Sequence, residues 1–233
     1  MTINPVFITG GTGYLGRPLI TALLERGFVV HALARPQSVQ RLPSGAVHVI
    51  GNALDDTTFA AAIPPRATFV HLVGTPHPNP AKASEFRRVD LASIKAAVAA
   101  AVRAGVHHFI YISVAHPAPV MHAYIAAREE GEHLVRSSGI RATILRPWYI
   151  LGPGHRWPYL LLPIYTVLRC IAATRPGAER LGLVTRQTMI AAIVSAIRTP
   201  PGERVRTMEV PEIRQAAALT NTPVFVHRCS CRR

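Results

Sequence analysis

Short apolar runs alternate with longer amphipathic stretches along most of the chain. Apolar runs bounded by glycine and proline are typical of buried strands, and apolar positions three or four residues apart are typical of helices packed on a sheet. Strands are predicted at residues 3–9, 28–33, 47–50, 68–73, 108–114 and 143–146, and helices at 14–26, 36–42, 56–62, 83–104 and 119–138. This order predicts an α/β fold with a doubly wound parallel sheet.

The pattern changes after residue 146. Proline, glycine, tryptophan and tyrosine are frequent in residues 147–158 and predict a loop. Further elements are expected beyond it: a helix at 159–172, a strand at 181–184, a helix at 187–197 and a strand at 204–210. We therefore divide the chain into a core at 1–146, a small cap region at 147–219 that is integrated with the core, and a tail at 220–233.

The composition fits a single globular domain with a strongly basic surface. Of the 233 residues, 49% are apolar, which is enough to bury a substantial core. Lysine and arginine number 26 against 12 aspartates and glutamates, and the net charge of +14 favours anionic ligands. Lys82 and Lys95 are the only lysines, so lysine chemistry is excluded at every other position.

The cysteines and the hydropathy of the chain indicate the cellular compartment that we expect for the protein. Three cysteines give neither a disulfide framework nor a zinc set. The most apolar later stretch, residues 159–173, is shorter than the roughly 20 residues that a membrane span needs. We expect a cytoplasmic protein that does not cross a membrane.

A glycine-rich turn, TGGTGYLG at residues 9–16, follows the first predicted strand directly. Gly10 permits the tight turn, Gly13 lets the backbone approach a ligand, and Gly16 lets the helix pack on the strand. The N-terminus of the next helix then offers free N–H groups to phosphates, so the turn predicts a dinucleotide site of Rossmann type. The residues predicted to contact the dinucleotide here are Gly10, Thr12, Gly13, Tyr14, Leu15 and Gly16.

The residue after the second predicted strand bears on the choice of cofactor. Folds of this kind that use NAD place a carboxylate there to hold the ribose hydroxyls. The chain has Arg35 instead, and no carboxylate lies between Glu25 and Asp55. An arginine fork can bind a 2′-phosphate, which favours NADP(H) over NAD(H). The alternative is that Arg35 is a solvated loop cation.

Together these features resemble the short-chain dehydrogenase/reductase superfamily, in its atypical or extended branch. That branch includes NAD(P)-dependent epimerase/dehydratase-like proteins and NmrA-like NAD(P)H-binding proteins. The resemblance covers residues 3–213 and includes GNAL at 51–54, HLVG at 71–74, YIS at 111–113, RP at 146–147 and GPG at 152–154. It implies further cofactor contacts from Asn52, Ala53, Leu54, Leu72, Val73, Gly74, Thr75 and Pro147.

The superfamily's catalytic pattern is a serine followed by Tyr-x-x-x-Lys, in which the tyrosine is the general acid/base. Ser113 and Tyr124 match this pattern, but Arg128 stands in the place of the lysine. The i, i+4 spacing still brings a cation beside the phenol, although an arginine stays charged and cannot relay a proton. The resemblance implies Ser113, Tyr124 and Arg128 as catalytic residues. Tyr124 could also be a pocket residue in an enzyme that uses another group, or a structural residue.

Two functions are consistent with this sequence. The first is an NAD(P)H-binding oxidoreductase that acts on a small carbonyl or alcohol, or an epimerase or dehydratase that uses the same cofactor in a closed redox cycle. The second is a non-catalytic NADP(H)-binding redox sensor or assembly factor, which the missing lysine favours.

The sequence also bears on a substrate pocket, on metal and nucleic-acid binding, and on a homodimer. Trp148 and His155 are candidates for the substrate pocket, because they lie in the loop that flanks the nicotinamide in the superfamily. No metal site is expected, since the histidines at 107, 108, 116 and 122 lack ligand spacing. Scattered arginines without a recognition helix do not predict sequence-specific nucleic-acid binding. The small residues at 96–101 suit packing on the sheet or a homodimer interface.

Overall fold

The computed structural model describes residues 4–153 and 175–221. Its strands are β1 (Val6–Thr9), β2 (Val30–Ala34), β3 (Val47–Ile50), β4 (Thr68–His71), β5 (His108–Ile112), β6 (Ala142–Leu145), β7 (Tyr149–Leu151), β8 (Leu183–Thr185) and β9 (Val205–Met208). One parallel sheet has the order β3-β2-β1-β4-β5-β6-β9, and β7 pairs with β8 in a separate parallel ribbon.

Helices cover this sheet. They are α1 (Gly16–Leu24), α2 (Ala92–Arg103), α3 (His122–Ser137), α4 (Arg175–Arg180), α5 (Arg186–Arg198) and α6 (Val210–Asn221). A short helical turn, Ala83–Glu85, and a π-helical turn, Phe86–Leu91, lead without a break into α2.

The strands are apolar on both faces because helices cover both sides of the sheet. On the face that α2 covers, Phe7, Phe69 and Phe109 stand side by side on β1, β4 and β5, with ring centroids 5.2 and 5.1 Å apart. On the other face, buried side chains of α1 and α5 such as Leu19 and Ile193 form a second cluster. These two clusters hold the sheet between the helical layers.

The strand order reverses between β1 and β4, which pair with each other at the middle of the sheet. Connections leave the carboxyl ends of these two strands toward opposite sides, and this divergence opens a crevice there. Ligands of open α/β sheets bind in such a crevice. The predicted doubly wound α/β fold is confirmed, and the glycine turn lies at this point.

The structure differs from the predicted elements in several places. The predicted helices at 36–42 and 56–62 are short 3₁₀ turns, and the helix at 83–104 is interrupted by the π-helical turn. The last predicted strand pairs with β6 and becomes the seventh strand of the main sheet, and α6, which follows it, is not predicted at all. The predicted helix at 159–172 lies outside the described residues, and the division into core, cap and tail stays a prediction.

Within the described ranges, no helix combines the length and the apolar character that a membrane-spanning segment requires.

Candidate functional site

The glycine turn after β1 is built so closely that side chains would not fit. Gly10 has a φ of +77°, and a Cβ there would lie 2.8 Å from the carbonyl carbon of Leu72 on the loop after β4. A Cβ at Gly16 would overlap the carbonyl oxygen of Gly10. The backbone N–H of Gly13 donates to that same oxygen over 3.0 Å, which closes the turn. The result is a backbone cradle at the N-terminus of α1, which fits the pyrophosphate of a dinucleotide.

A cavity of about 690 Å³ opens above this turn, at the carboxyl ends of β1, β4 and β5. It brings together most of the predicted residues from separate parts of the chain. The predicted residues that line it are Gly10, Gly13, Tyr14, Leu15, Gly16, Leu72, Gly74, Thr75, Ser113, Tyr124, Arg128, Pro147 and Trp148. Thus the glycine turn and the predicted catalytic residues face one volume.

The remaining predicted cofactor residues lie outside the lining of this cavity. They are Thr12, Arg35, Asn52, Ala53, Leu54 and Val73. Arg35 is exposed directly after β2, where its carbonyl oxygen accepts hydrogen bonds from the N–H and Oγ of Ser38. Asn52 lies in the loop after β3, and its Oδ1 accepts from the N–H of Leu54 over 3.1 Å. Their roles stay predictions.

Tyr124 lies in the first turn of α3, at the wall of the cavity. The guanidinium carbon of Arg128, one helical turn later, is 5.2 Å from the centre of its ring. On another side the buried Phe86 packs against the ring with centroids 5.0 Å apart. The i, i+4 spacing therefore brings the Arg128 cation beside the Tyr124 ring, and Phe86 of the π-helical turn packs against the same ring.

Arg128 is buried and held by its neighbours. Its Nη2 donates to Oδ1 of Asp90 over 2.6 Å, and its Nη1 donates to the carbonyl oxygen of Ile112 over 2.9 Å. Burial acts to lower the pKa of Arg128, but Tyr124, Tyr111 and Asp90 outweigh it, so the pKa is raised above its ordinary value. The guanidinium stays charged and serves as a fixed cation.

Asp90 also connects Arg128 to the cofactor side of the cavity. Its Oδ2 accepts from the N–H of Thr75 over 3.0 Å and from Oγ1 of Thr75 over 2.6 Å. The guanidinium lies so close to the loop after β4 that a Cβ at Gly74 would overlap Nη2 of Arg128. A side chain at Gly74, the glycine of the HLVG block, would therefore displace this guanidinium.

Ser113 follows β5 and donates its hydroxyl hydrogen to Oε1 of Glu132 over 2.7 Å. Glu132 is buried on α3 and also binds Arg146 through two hydrogen bonds, of 2.8 Å to Oε1 and 2.6 Å to Oε2. Burial acts to raise the pKa of Glu132, but Arg146, Ser113 and His116 outweigh it and lower the pKa. Glu132 is therefore a carboxylate at neutral pH.

A buried histidine lies behind the cavity. His71, at the end of β4, bonds Thr9 through Nδ1 over 2.9 Å and Ser93 through Nε2 over 3.3 Å. Burial, with a contribution from the charge of Arg128, lowers the pKa of His71 to about 3. It stays neutral at ordinary pH and ties β1, β4 and α2 together.

The far wall of the cavity is apolar and aromatic. Trp148, a predicted substrate residue, makes an edge contact with Tyr149 of β7 at 5.4 Å between centroids. Met121 and Val114 line the same region. The other predicted substrate residue, His155, lies outside the described residues. Where the structure describes the chain, no three His, Cys, Asp or Glu side chains lie close enough to hold a metal ion.

Asp90 and Glu132 are the site residues that the sequence analysis missed. Asp90 lies between Val89 and Leu91, which are apolar, and Glu132 lies one helical turn after Arg128. A charged residue on a face that must be buried needs a charged partner. That rule could have indicated both residues.

The profile of a family described as NAD(P)H-binding matches residues 10–156, from the glycine turn to beyond β7. The chain belongs to this NAD(P)H-binding family. The match includes the cradle of the glycine turn and every predicted catalytic residue. The resemblance to short-chain dehydrogenases/reductases is thus confirmed as membership of an NAD(P)H-binding family.

Curated relatives of this NAD(P)H-binding protein are named as reductases. A ceramide reductase of Caulobacter vibrioides is 31% identical over 208 residues, which cover 84% of the chain and 61% of the relative. A 4-hydroxy-2-methyl-3-oxo-4-farnesyl-3,4-dihydroquinoline-1-oxide ketoreductase of Stigmatella aurantiaca is 29% identical, over 63% of the chain and 50% of the relative. The chain thus spans one half to three fifths of the length of these proteins.

Solved structures share the fold of the NAD(P)H-binding chain. A short-chain dehydrogenase/reductase superfamily protein from Agrobacterium tumefaciens with bound NAD has a TM-score of 0.65 at 19% identity, covering 94% of the chain and 84% of that structure. The UDP-glucose 4-epimerase of Thermus thermophilus in complex with NAD has a TM-score of 0.65 at 19% identity, covering 93% and 82%. At these identities the likeness concerns the fold alone.

Proposed function

We propose that the protein is an NADP(H)-dependent reductase that converts an apolar carbonyl compound to an alcohol, with Tyr124 as the proton donor. The observation that carries this proposal is the cavity of about 690 Å³, which Tyr124, Ser113 and the glycine turn line together. A cofactor seated on the turn and a substrate beside Tyr124 would share that volume. The bound nicotinamide would supply the hydride.

The side chains around Tyr124 support the role of proton donor. A general acid must reach the oxygen that it protonates, and Tyr124 forms part of the wall of the cavity. Arg128 holds a permanent positive charge 5.2 Å from the ring and stabilises the phenolate that proton transfer leaves behind. Because arginine does not release a proton at neutral pH, its role is electrostatic, and the phenol regains its proton by another route.

Two features support the choice of cofactor and substrate. Arg35 is exposed directly after β2, where it can meet a 2′-phosphate. Among the described residues that line the cavity, Arg128 is the only arginine or lysine, and Asp90 already binds it. The remaining walls are largely apolar and favour an apolar substrate, in keeping with relatives named for a ceramide and a farnesyl compound.

A second candidate is a dinucleotide-binding sensor without catalysis. The observation that favours it is the engagement of Arg128 with Asp90 and the carbonyl oxygen of Ile112, which turns both of its terminal nitrogens toward the protein. The sensor would bind the same cofactor on the same turn.

The two candidates separate in one assay. NADPH and NADH are offered with a panel of ketones, aldehydes and quinones of increasing apolar chain length, and oxidation is followed by the nicotinamide absorbance. The reductase predicts oxidation of NADPH in preference to NADH, and rates that increase with apolar length. Tight NADPH binding with no oxidation across the panel would favour the sensor.

A further inference from the structure

The hydroxyl of Ser113 has one hydrogen, and the structure shows where it goes. It is donated to Oε1 of Glu132 over 2.7 Å, a length typical of a hydroxyl bonded to a carboxylate. Both side chains are buried, Ser113 at 3% and Glu132 at 3% exposure. A charge-assisted bond in such a place is stronger than one to a neutral carbonyl group.

The groups around Glu132 are hydrogen-bond donors and cations that keep it an ionised carboxylate. Arg146, at the end of β6, donates Nε to Oε1 and Nη2 to Oε2. Arg136 on the same helix and His116 on the loop after β5 each approach a carboxylate oxygen at 3.4 Å. Arg146 is bound in turn to Glu209 over 2.8 Å. With this set of donors, Glu132 has no hydrogen to give, and it can only accept from Ser113.

We infer that Glu132 is a positioning residue that holds Ser113 as a hydrogen-bond acceptor toward the cavity, so that this site binds a donor group, the hydroxyl of the alcohol product, more tightly than the carbonyl oxygen of the substrate. Ser113 lines the cavity, and its lone pairs are the hydrogen-bonding capacity left to it there. An alcohol can donate to Ser113 and accept from Tyr124. A carbonyl oxygen can only accept from Tyr124, and its lone pairs face those of Ser113.

This inference, which rests on the proposed function for its substrate class, has a consequence for the reaction. Ser113 offers no hydrogen to an oxygen that becomes negative, so Tyr124 must donate its proton as that charge develops. The alcohol therefore binds more tightly than the carbonyl compound, because its hydroxyl forms hydrogen bonds with both Ser113 and Tyr124. The site stabilises the reduced form of the substrate.

The inference is tested by binding, without turnover. The probes are dimethyl phenyl carbinol, a tertiary alcohol with no hydride to give, and acetophenone, each titrated into the full chain saturated with oxidised cofactor. Neither probe can react in this state. We expect the alcohol to bind at least about fivefold more tightly than the ketone, because it makes one more hydrogen bond.

Two variants and a control assign the preference to the Ser113–Glu132 pair. Ser113→Ala should weaken the binding of the alcohol about fivefold and leave the affinity for the ketone unchanged or higher. Glu132→Gln should shift the preference toward the ketone, because the glutamine N–H can donate to Ser113 and free its hydrogen for the cavity. Glu130→Gln, on the same helix but paired with the exposed Lys95, should change neither.

The results that would overturn the inference are equally specific. If Ser113→Ala weakens binding of the ketone and leaves binding of the alcohol unchanged, Ser113 donates its hydrogen to the ligand instead of accepting one. Equal effects on both probes, or no binding of either probe by the unmodified chain, also contradict it. Because no step depends on hydride transfer, a failure to oxidise NADPH in the turnover assay leaves this comparison intact and identifies the proposed function as the error.

Discussion

Asp90 and Arg128 form a buried ion pair at the wall of the cavity, with 2.6 Å between Oδ1 and Nη2. Asp90 comes from the π-helical turn before α2, and Arg128 from α3. π-helical turns are rare and are frequently found at functional sites. The same turn supplies Phe86, which packs on Tyr124, so it holds both the proposed proton donor and the cation beside it.

Removal of Asp90 should destabilise the protein strongly. Asp90→Ala leaves the Arg128 charge buried without its partner, and we expect a loss of about 3–5 kcal/mol in the free energy of unfolding, measured by urea denaturation. Asp56→Ala is the control, because Asp56 makes an ion pair of similar length, 2.7 Å, with the exposed Arg103. That change should cost about 1 kcal/mol or less. Equal losses in the two variants would contradict a special role for the buried pair.

A side chain at Gly10 should damage the cofactor cradle. In Gly10→Ala the residue keeps a φ of +77° that alanine disfavours, and its Cβ meets the carbonyl carbon of Leu72. We expect a loss of about 2 kcal/mol or more in stability and a large loss of NADPH affinity, measured by fluorescence titration. Gly202→Ala, where the added Cβ contacts nothing within 4 Å, should be near neutral in both measurements. Unchanged affinity in Gly10→Ala would place the dinucleotide elsewhere.

The buried His71 should make the fold sensitive to acid. Its pKa is lowered to about 3 by burial and by Arg128, from an ordinary value of 6.5. Between these pH values the unfolded chain binds a proton on this residue that the folded chain does not bind. The free energy of unfolding therefore falls as the pH decreases below about 6.5, by up to about 1.4 kcal/mol per pH unit, and is unaffected by His71 above that range.

The contribution of His71 can be isolated by substitution. His71→Gln keeps hydrogen-bonding groups for Thr9 and Ser93 but has no proton to gain, so the acid-dependent decrease should become shallower. His48→Gln, at an exposed position of β3, serves as the control and should keep the slope of the unmodified chain. Parallel curves for the unmodified chain and His71→Gln would show that His71 does not remain neutral as argued.

Arg35 should decide between the two dinucleotides. Arg35→Ala removes the proposed contact to the 2′-phosphate, so we expect NADPH to bind roughly 10-fold or more weakly while NADH affinity stays the same. Arg41→Ala, another exposed cation in the 3₁₀ turn that follows β2, is the matched control. An equal loss for both cofactors, or no loss for NADPH, would remove the argument for NADP(H).

The sequence predicted the sheet and the cofactor end of the site because those features depend on local patterns. The glycine spacing at residues 10, 13 and 16 and the alternating apolar runs each reflect a local conformational requirement. Asp90 and Glu132 were missed because their roles depend on partners that are distant in the sequence. Arg128 lies 38 residues from Asp90, and Ser113 lies 19 residues from Glu132. β9 was assigned outside the main sheet because pairing with β6 is a long-range contact that its composition does not reveal.

The central claim is that Tyr124 is the proton donor of a reductase, and Tyr124→Phe tests it most directly. The change removes one hydroxyl and leaves the ring on Phe86, and Tyr149→Phe is the control because Tyr149 lines the same cavity. We expect NADPH oxidation with the best carbonyl substrate to fall at least about 100-fold in Tyr124→Phe, with NADPH affinity unchanged and with Tyr149→Phe remaining active. Full turnover by Tyr124→Phe would contradict the account.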